Sequence, residues 1–397
     1  MAKPGPLLIA AAWFPPHSGG SPILSRNLWA AWPQEDDLCA VSFHPHGASQ
    51  DVSLAMPHIP VHWIEPWTFP EARMAAYLDP IAAFRVERSL LEVASQRRPR
   101  GIWVNWPTTA FVLGAWRASR RLRLPLYVHL HDIWGEAFRG RKRVVESLAA
   151  ACFEGRVLRD AARVFTITSE AKDYYKKRCH VDSYVLAHSI PDEDLSVSGE
   201  PTERLTGKSA VLHYAGSIYP LMNQDAIVNV VRSLPHCRHR VAFDCFTPND
   251  PASLSKIGIV GPSVQCRFAP KKDVMAAQRG SDILVLALAF ESTNPSEIRT
   301  VFPTKLLEYF TCGRPILVHA PADSWAARSA RMHGWGYVVD QPDPFLLAQA
   351  IDTLLDDQQL SQKLVSCARK EACARAASAV ARDLWNEVRR IEASWKS

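Results

Sequence analysis

The chain has 397 residues, 47% of them hydrophobic and 22% charged, with a formal net charge of +6. That length suits two or three domains, and no apolar run approaches the roughly 20 residues that a helical bilayer span needs. Nine scattered cysteines without a Cys-x-x-Cys argue against a disulfide framework or a zinc site and predict a reducing, cytoplasmic setting.

The first apolar run, Leu7–Phe14, is too short and too soon followed by prolines for a signal peptide, and predicts a buried strand. Gly19 and Gly20 then form a permissive turn. Ser21 is placed to cap a helix from Pro22 to about Trp32, whose N-terminus faces a ligand crevice. Further strands are predicted at 38–43, 102–106, 126–130, 164–168 and 184–188. Several are apolar throughout, as in parallel sheets covered on both faces. His129 and His131 alternate onto one face at the end of strand 126–130, and Asp132 points the other way. Thr168 and Ser169 cap a following helix.

From Arg85 to Arg163 there are 16 Lys and Arg against seven Asp and Glu. Such a stretch attracts anionic lipid headgroups or nucleic acid, or remains ordinary basic surface. Arg139, Arg141, Lys142 and Arg143, just before the amphipathic run 144–158, are the leading membrane contacts.

Residues 189–209, rich in Pro, Ser and acidic residues, read as a linker. The strand–helix alternation then restarts, with strands at 210–215, 241–246, 264–268, 283–288 and 316–318, and ends in a helical stretch over about 357–395. Two doubly wound α/β domains follow, with ligand crevices at the C-terminal strand ends.

The most informative stretch is 303–317, Pro-Thr-Lys-Leu-Leu-Glu-Tyr-Phe-Thr-Cys-Gly-Arg-Pro-Ile-Leu. Pro303 suits a first helical turn. Leu306, Leu307 and Phe310 recur at helical spacing, and Gly313 with Pro315 ends the helix. Lys305 and Glu308, three apart, project from one side. A helix N-terminus and an ammonium suit a phosphate, and a carboxylate accepts from sugar hydroxyls, so together they suit a nucleotide diphosphate.

This segment resembles the nucleotide-sugar loop of retaining glycosyltransferases of family 4, which have the GT-B fold of two Rossmann-like domains facing across a cleft. Residues 13–28 are similar to the Pro-Pro-x-x-Gly-Gly opening of that family, 129–134 to its His-Asp-Leu-Trp segment, and 213–219 to its Tyr-x-Gly-x-Leu turn. The resemblance implies an acceptor-side domain over 1–195, a nucleotide-sugar domain over 196–375, and a last helix, 376–397, that packs back toward the first. It implies a nucleotide diphosphate sugar as donor, no metal and no covalent nucleophile. His131 and Asp132 become the catalytic candidates. Gly19, Gly20, Gly216, Ser217, Glu291, Thr304, Lys305, Leu307 and Glu308 become the donor-binding candidates.

Two departures from the family pattern stand out. The turn after Gly216 lacks the usual basic residue, which leaves Lys305 or Arg299 to supply the charge. Thr300 occupies the position of the first of two family glutamates, with Glu291 or Glu297 as replacements across a longer loop, 292–302. The acceptor implied by the family is a lipid-linked or surface-polysaccharide precursor, on the inner membrane face and with no nucleic acid partner. A degenerate GT-B protein that binds a glycan or protein without turnover is the second reading.

Overall fold

The computed structural model describes residues 5–17, 19–33, 37–45, 52–65, 72–106, 108–136, 144–196 and 209–395. The chain divides into two compact units, Met1–Pro191 with Ala377–Ser397, and Asp192–Ala376.

The first unit is built on seven parallel strands: β1 (Leu7–Ala10), β2 (Leu38–Phe43), β3 (Val61–Ile64), β4 (Gly101–Trp106), β5 (Leu126–Leu130), β6 (Arg163–Thr166) and β7 (Tyr184–Val185). Their order is β3-β2-β1-β4-β5-β6-β7, so the winding reverses between β1 and β4. Five helices intervene: α1 (Gly20–Ala30), α2 (Ala72–Arg97), α3 (Thr109–Leu122), α4 (Val144–Asp160) and α5 (Ser169–Cys179). Strand alternation splits the core in two. Leu8, Val41, Val104 and Val128 meet α2, α3 and α4 residues such as Val86, Phe111 and Val157. Leu7, Ile9, Trp103, Tyr127 and Phe165 form the opposite face, with Trp29 of α1. Burying such a side chain contributes about 1.5–3 kcal/mol, which is why these runs carry almost no polar residue.

The second unit has six parallel strands: β8 (Ala210–Ala215), β9 (Val241–Phe246), β10 (Val264–Arg267), β11 (Ile283–Ala287), β12 (Ile316–His319) and β13 (Tyr337–Val339). Their order, β10-β9-β8-β11-β12-β13, reverses between β8 and β11. Its helices are α6 (Asp192–Ser196), α7 (Gln224–Ser233), α8 (Pro251–Lys256), α9 (Lys271–Gly280), α10 (Pro295–Thr300), α11 (Leu306–Tyr309), α12 (Trp325–His333), α13 (Pro344–Asp356) and α14 (Gln358–Cys373).

The last helix, α15 (Ala377–Trp395), belongs to the first unit. It sets Leu384 and Val388 into the core face that holds Trp29 and Trp103. Glu392 accepts from buried Arg100 Nε at 2.7 Å, and Glu387 pairs with Arg163 at 3.0 Å. Much of the basic stretch is therefore spent internally. Arg117 and Arg121 both pair with buried Glu87.

Several predicted details differ. Helix α1 starts at Gly20 with Gly19 as its cap residue, so Ser21 lies inside the first turn and caps nothing. The 303–313 segment is not one regular helix. Only Leu306–Tyr309 is α-helical, between turns, because three-apart bonds such as Leu306 N to Pro303 O and Thr311 N to Glu308 O alternate with four-apart ones. Within the expected loop 292–302, Pro295–Thr300 folds as α10 behind Asn294. Predicted strand 184–188 stops at Val185, and edge strands β3 and β13 were not anticipated. Arg139, Arg141, Lys142 and Arg143 lie outside the described residues.

Candidate active site

In the second unit the candidates gather at the reversal point, where open α/β sheets bind ligands. Strand β8 ends at Ala215, and Gly216 follows at φ 129°, a left-handed conformation that favours glycine. A Cβ there would stand 3.3 Å from Lys305 Nζ. The turn is braced by side chains. Tyr214 Oη donates to the Ser217 carbonyl at 3.0 Å, and Asn223 Nδ2 donates to Tyr214 Oη at 2.8 Å. Asn249 bonds both the N–H and the carbonyl of Ile218. The Gly216 amide donates to Phe246 O at 2.9 Å, so it is not a free donor for a diphosphate.

Lys305 reaches this turn from the segment after β11. Its ammonium lies 3.7 Å from the centroid of the Tyr214 ring, and no carboxylate forms an ion pair with it among the described residues. Burial lowers its pKa from 10.5 to about 7, against the opposing influence of Cys245 and Glu308. Glu308 accepts from Gln278 Nε2, of α9, at 3.1 Å. Leu306, between Lys305 and Glu308, and Tyr309, just after them, are fully buried. Tyr309 Oη donates to Val285 O and accepts from Ala215 N, which ties the motif to β11 and β8.

The remaining donor candidates are more peripheral. Leu307 is buried, Thr304 is exposed, and Ser217 contributes its carbonyl to the turn's bracing. Glu291 is exposed, with its amide held by Asp225 Oδ2 at 3.1 Å. Glu297 accepts from Asn294, and Arg299 is turned toward Ser296 and Asp323, so neither is seen to join Lys305.

In the first unit, Gly19 at φ 118° needs glycine, whereas a Cβ on Gly20 would meet nothing within 4 Å. His131 and His129 come together as edge-to-face rings 4.3 Å apart, with His131 Nε2 3.1 Å from His129 Nδ1. His188, which follows β7, completes a cluster at 5.5 Å from His131. A small cavity beside them is lined also by Ser25, Asn105 and Ser189. Burial lowers the His131 pKa to about 4 and drives His129 down as well, so both rings are neutral near pH 7. Asp132 is half-buried, and its carbonyl accepts from Tyr175 Oη at 3.4 Å. His188, Asn105, Gln278 and Tyr214 are missing from the sequence-derived candidates. Only Tyr214 had a local signal, its place before the Gly216 turn.

Residues 19–182 match the Glycosyl transferase 4-like domain, and 249–371 match the Glycosyl transferases group 1 domain. No curated protein matches the sequence. Among solved structures, HepE from Anabaena, in complex with UDP and glucose, is similar with a TM-score of 0.66 at 16% identity, covering 97% of this chain and 100% of its own. Sucrose-phosphate synthase from Thermosynechococcus elongatus gives 0.70 at 15% identity over 98% and 100%. An α,α-trehalose-phosphate synthase (UDP-forming) from Burkholderia vietnamiensis gives 0.66 at 13% over 98% and 99%. Two parallel Rossmann-like units matched in this order define a glycosyltransferase of the GT-B type. Within that class, the first unit carries the Glycosyl transferase 4-like domain and the second the Glycosyl transferases group 1 domain.

Proposed function

We propose that the chain transfers a sugar, with retention of configuration, from a nucleotide diphosphate sugar held by the second unit. The observation that carries this is the Lys305 ammonium, desolvated beside the Gly216 turn and not ion-paired to a carboxylate among the described residues, with Glu308 one turn away. An incoming diphosphate supplies the missing counter-charge, and the Glu308 carboxylate accepts from ribose hydroxyls. As the bond from anomeric carbon to phosphate oxygen breaks, negative charge grows on the departing diphosphate, where Lys305 neutralises it. His131 hydrogen-bonds the sugar, and Asp132 orients it or the acceptor.

The acceptor proposed is a lipid-linked or surface-polysaccharide precursor, taken by the first unit near an anionic membrane face. Its support is the arginine run 139–143 followed directly by α4, where Leu148, Ala151 and Cys152 are exposed. Salt-sensitive co-sedimentation with anionic vesicles supports this; no sedimentation at low salt overturns it and favours a soluble acceptor.

UDP-glucose, the ligand of one HepE structure, is the first donor to test. Calorimetry with UDP, GDP and ADP, followed by hydrolysis or transfer assays with the matching sugars, decides between turnover and a second reading. That reading is a degenerate protein that binds without transfer, and it is favoured by the lack of a basic residue in the turn after Gly216 and by the exposed Glu291. Nucleotide binding with no hydrolysis or transfer from any donor would establish it.

A further inference from the structure

The contact between His131 and His129 admits two proton arrangements, and their surroundings choose between them. Each neutral imidazole carries one N–H. Either His129 Nδ1–H donates to His131 Nε2, or His131 Nε2–H donates to His129 Nδ1. In the second case His129 must carry its own proton on Nε2. That atom is buried and has no hydrogen-bond partner among the described residues. Its polar neighbour in register, Asn105, is already committed: Oδ1 accepts from Trp103 Nε1 at 2.6 Å, and Nδ2 donates to Ser25 Oγ at 3.3 Å. The indole of Trp103 stands 5.4 Å from the imidazole, and Phe165 is the register partner on the other side. A buried N–H facing aromatic rings is the costlier orphan; an unused lone pair is tolerated more often.

We infer that His129 is a positioning residue, donating Nδ1–H to His131 Nε2 and so fixing His131 as the Nδ1–H tautomer. His131 then offers a single N–H donor to an oxygen of a ligand in the cavity that both rings line. The depressed pKa values agree, since neither ring carries a second proton near pH 7. The inference rests on the role given to His131 above. It adds that this residue acts as a neutral hydrogen-bond donor and not as an acid or a cation.

Long-range 1H–15N correlation spectra of histidine-labelled protein at pH 7 test it directly. His131 is expected to show a protonated Nδ1 and a bare Nε2. His129→Asn keeps an N–H donor at the Nδ1 position and is expected to preserve both that pattern and kcat. His129→Phe removes the donor, so His131 should shift toward the Nε2–H tautomer. With that shift, kcat should fall about tenfold, the equivalent of one lost hydrogen bond, with the KM for the donor nearly unchanged. An Nε2–H form of His131 in the wild type, or the same tautomer in wild type and His129→Phe, overturns the inference. An unchanged kcat in His131→Ala, with the tautomer as assigned, would remove His131 from the proposed reaction while leaving the proton where it is placed here.

Discussion

The ammonium of Lys305 sits over the face of the Tyr214 ring, 3.7 Å from its centroid, although the two residues are 91 positions apart. Strand β8 carries the ring and the segment after β11 carries the charge, so the sheet's reversal point is what brings them together. A cation over an aromatic face is stabilised by the ring quadrupole, yet it remains free to meet an anion.

Protonation of Lys305 should govern nucleotide affinity. Its folded pKa is lowered to about 7, so the free protein carries the charge below that pH and loses it above. A bound diphosphate restores the ordinary pKa, and binding takes up a proton between about pH 7 and 10. Calorimetry at pH 8 in buffers of different ionisation enthalpy should show uptake approaching one proton, and affinity should weaken as pH rises. In Lys305→Met both effects should vanish. Because the folded pKa lies below the unfolded one, the same lysine costs stability fully below about 7, and the cost fades as pH climbs toward 10.5.

Replacing Glu308 with Ala should cost roughly 2–4 kcal/mol of nucleotide binding, from two lost charge-assisted bonds to ribose. A 2′,3′-dideoxy nucleotide should bind wild type and variant alike. Equal loss for both ligands would assign the carboxylate to holding Gln278 instead.

Gly216→Ala should disturb both fold and site. A Cβ at φ 129° is strained, at a cost of about 1–3 kcal/mol, and it presses on Lys305 from 3.3 Å. Thermal melting should drop by several degrees, and diphosphate affinity should fall more than nucleoside affinity. Gly20→Ala, where the space is open, should leave stability within about 1 kcal/mol of wild type.

Most strands could be read from the sequence, since fully apolar runs such as 7–10 and 283–287 have only one comfortable place, a sheet covered on both faces. Edge strand β3, Val-His-Trp-Ile, is half exposed and carries no such signal. The 303–317 motif was legible because Lys305 and Glu308 are close in sequence. The histidine cluster was only half legible. His129 and His131 alternate along one strand, but His188 arrives from the end of β7, and no local pattern announces that meeting.

The buried pair Arg100–Glu392 should matter to the first unit as a whole. The side chains are 5% and 9% exposed, and Arg100 also donates to Gly5 O at 2.8 Å. Glu392→Ala leaves a buried guanidinium without its counter-charge, which costs about 3–5 kcal/mol. Urea unfolding should show it as a lowered midpoint. Arg100→Met with Glu392→Leu should recover most of the loss.

Helix α15 has a consequence for how the molecule is made. The wall that covers Trp29, Trp103 and Tyr127 is synthesised only after the whole of the second unit. Until then the first 191 residues wait with an open apolar face, while residues 192–376 already hold everything their own core requires. The unit begun before residue 192 is completed only after the unit that interrupts it. A gene cut just before Ala377 leaves the second unit whole and the first with an open, aggregation-prone apolar face.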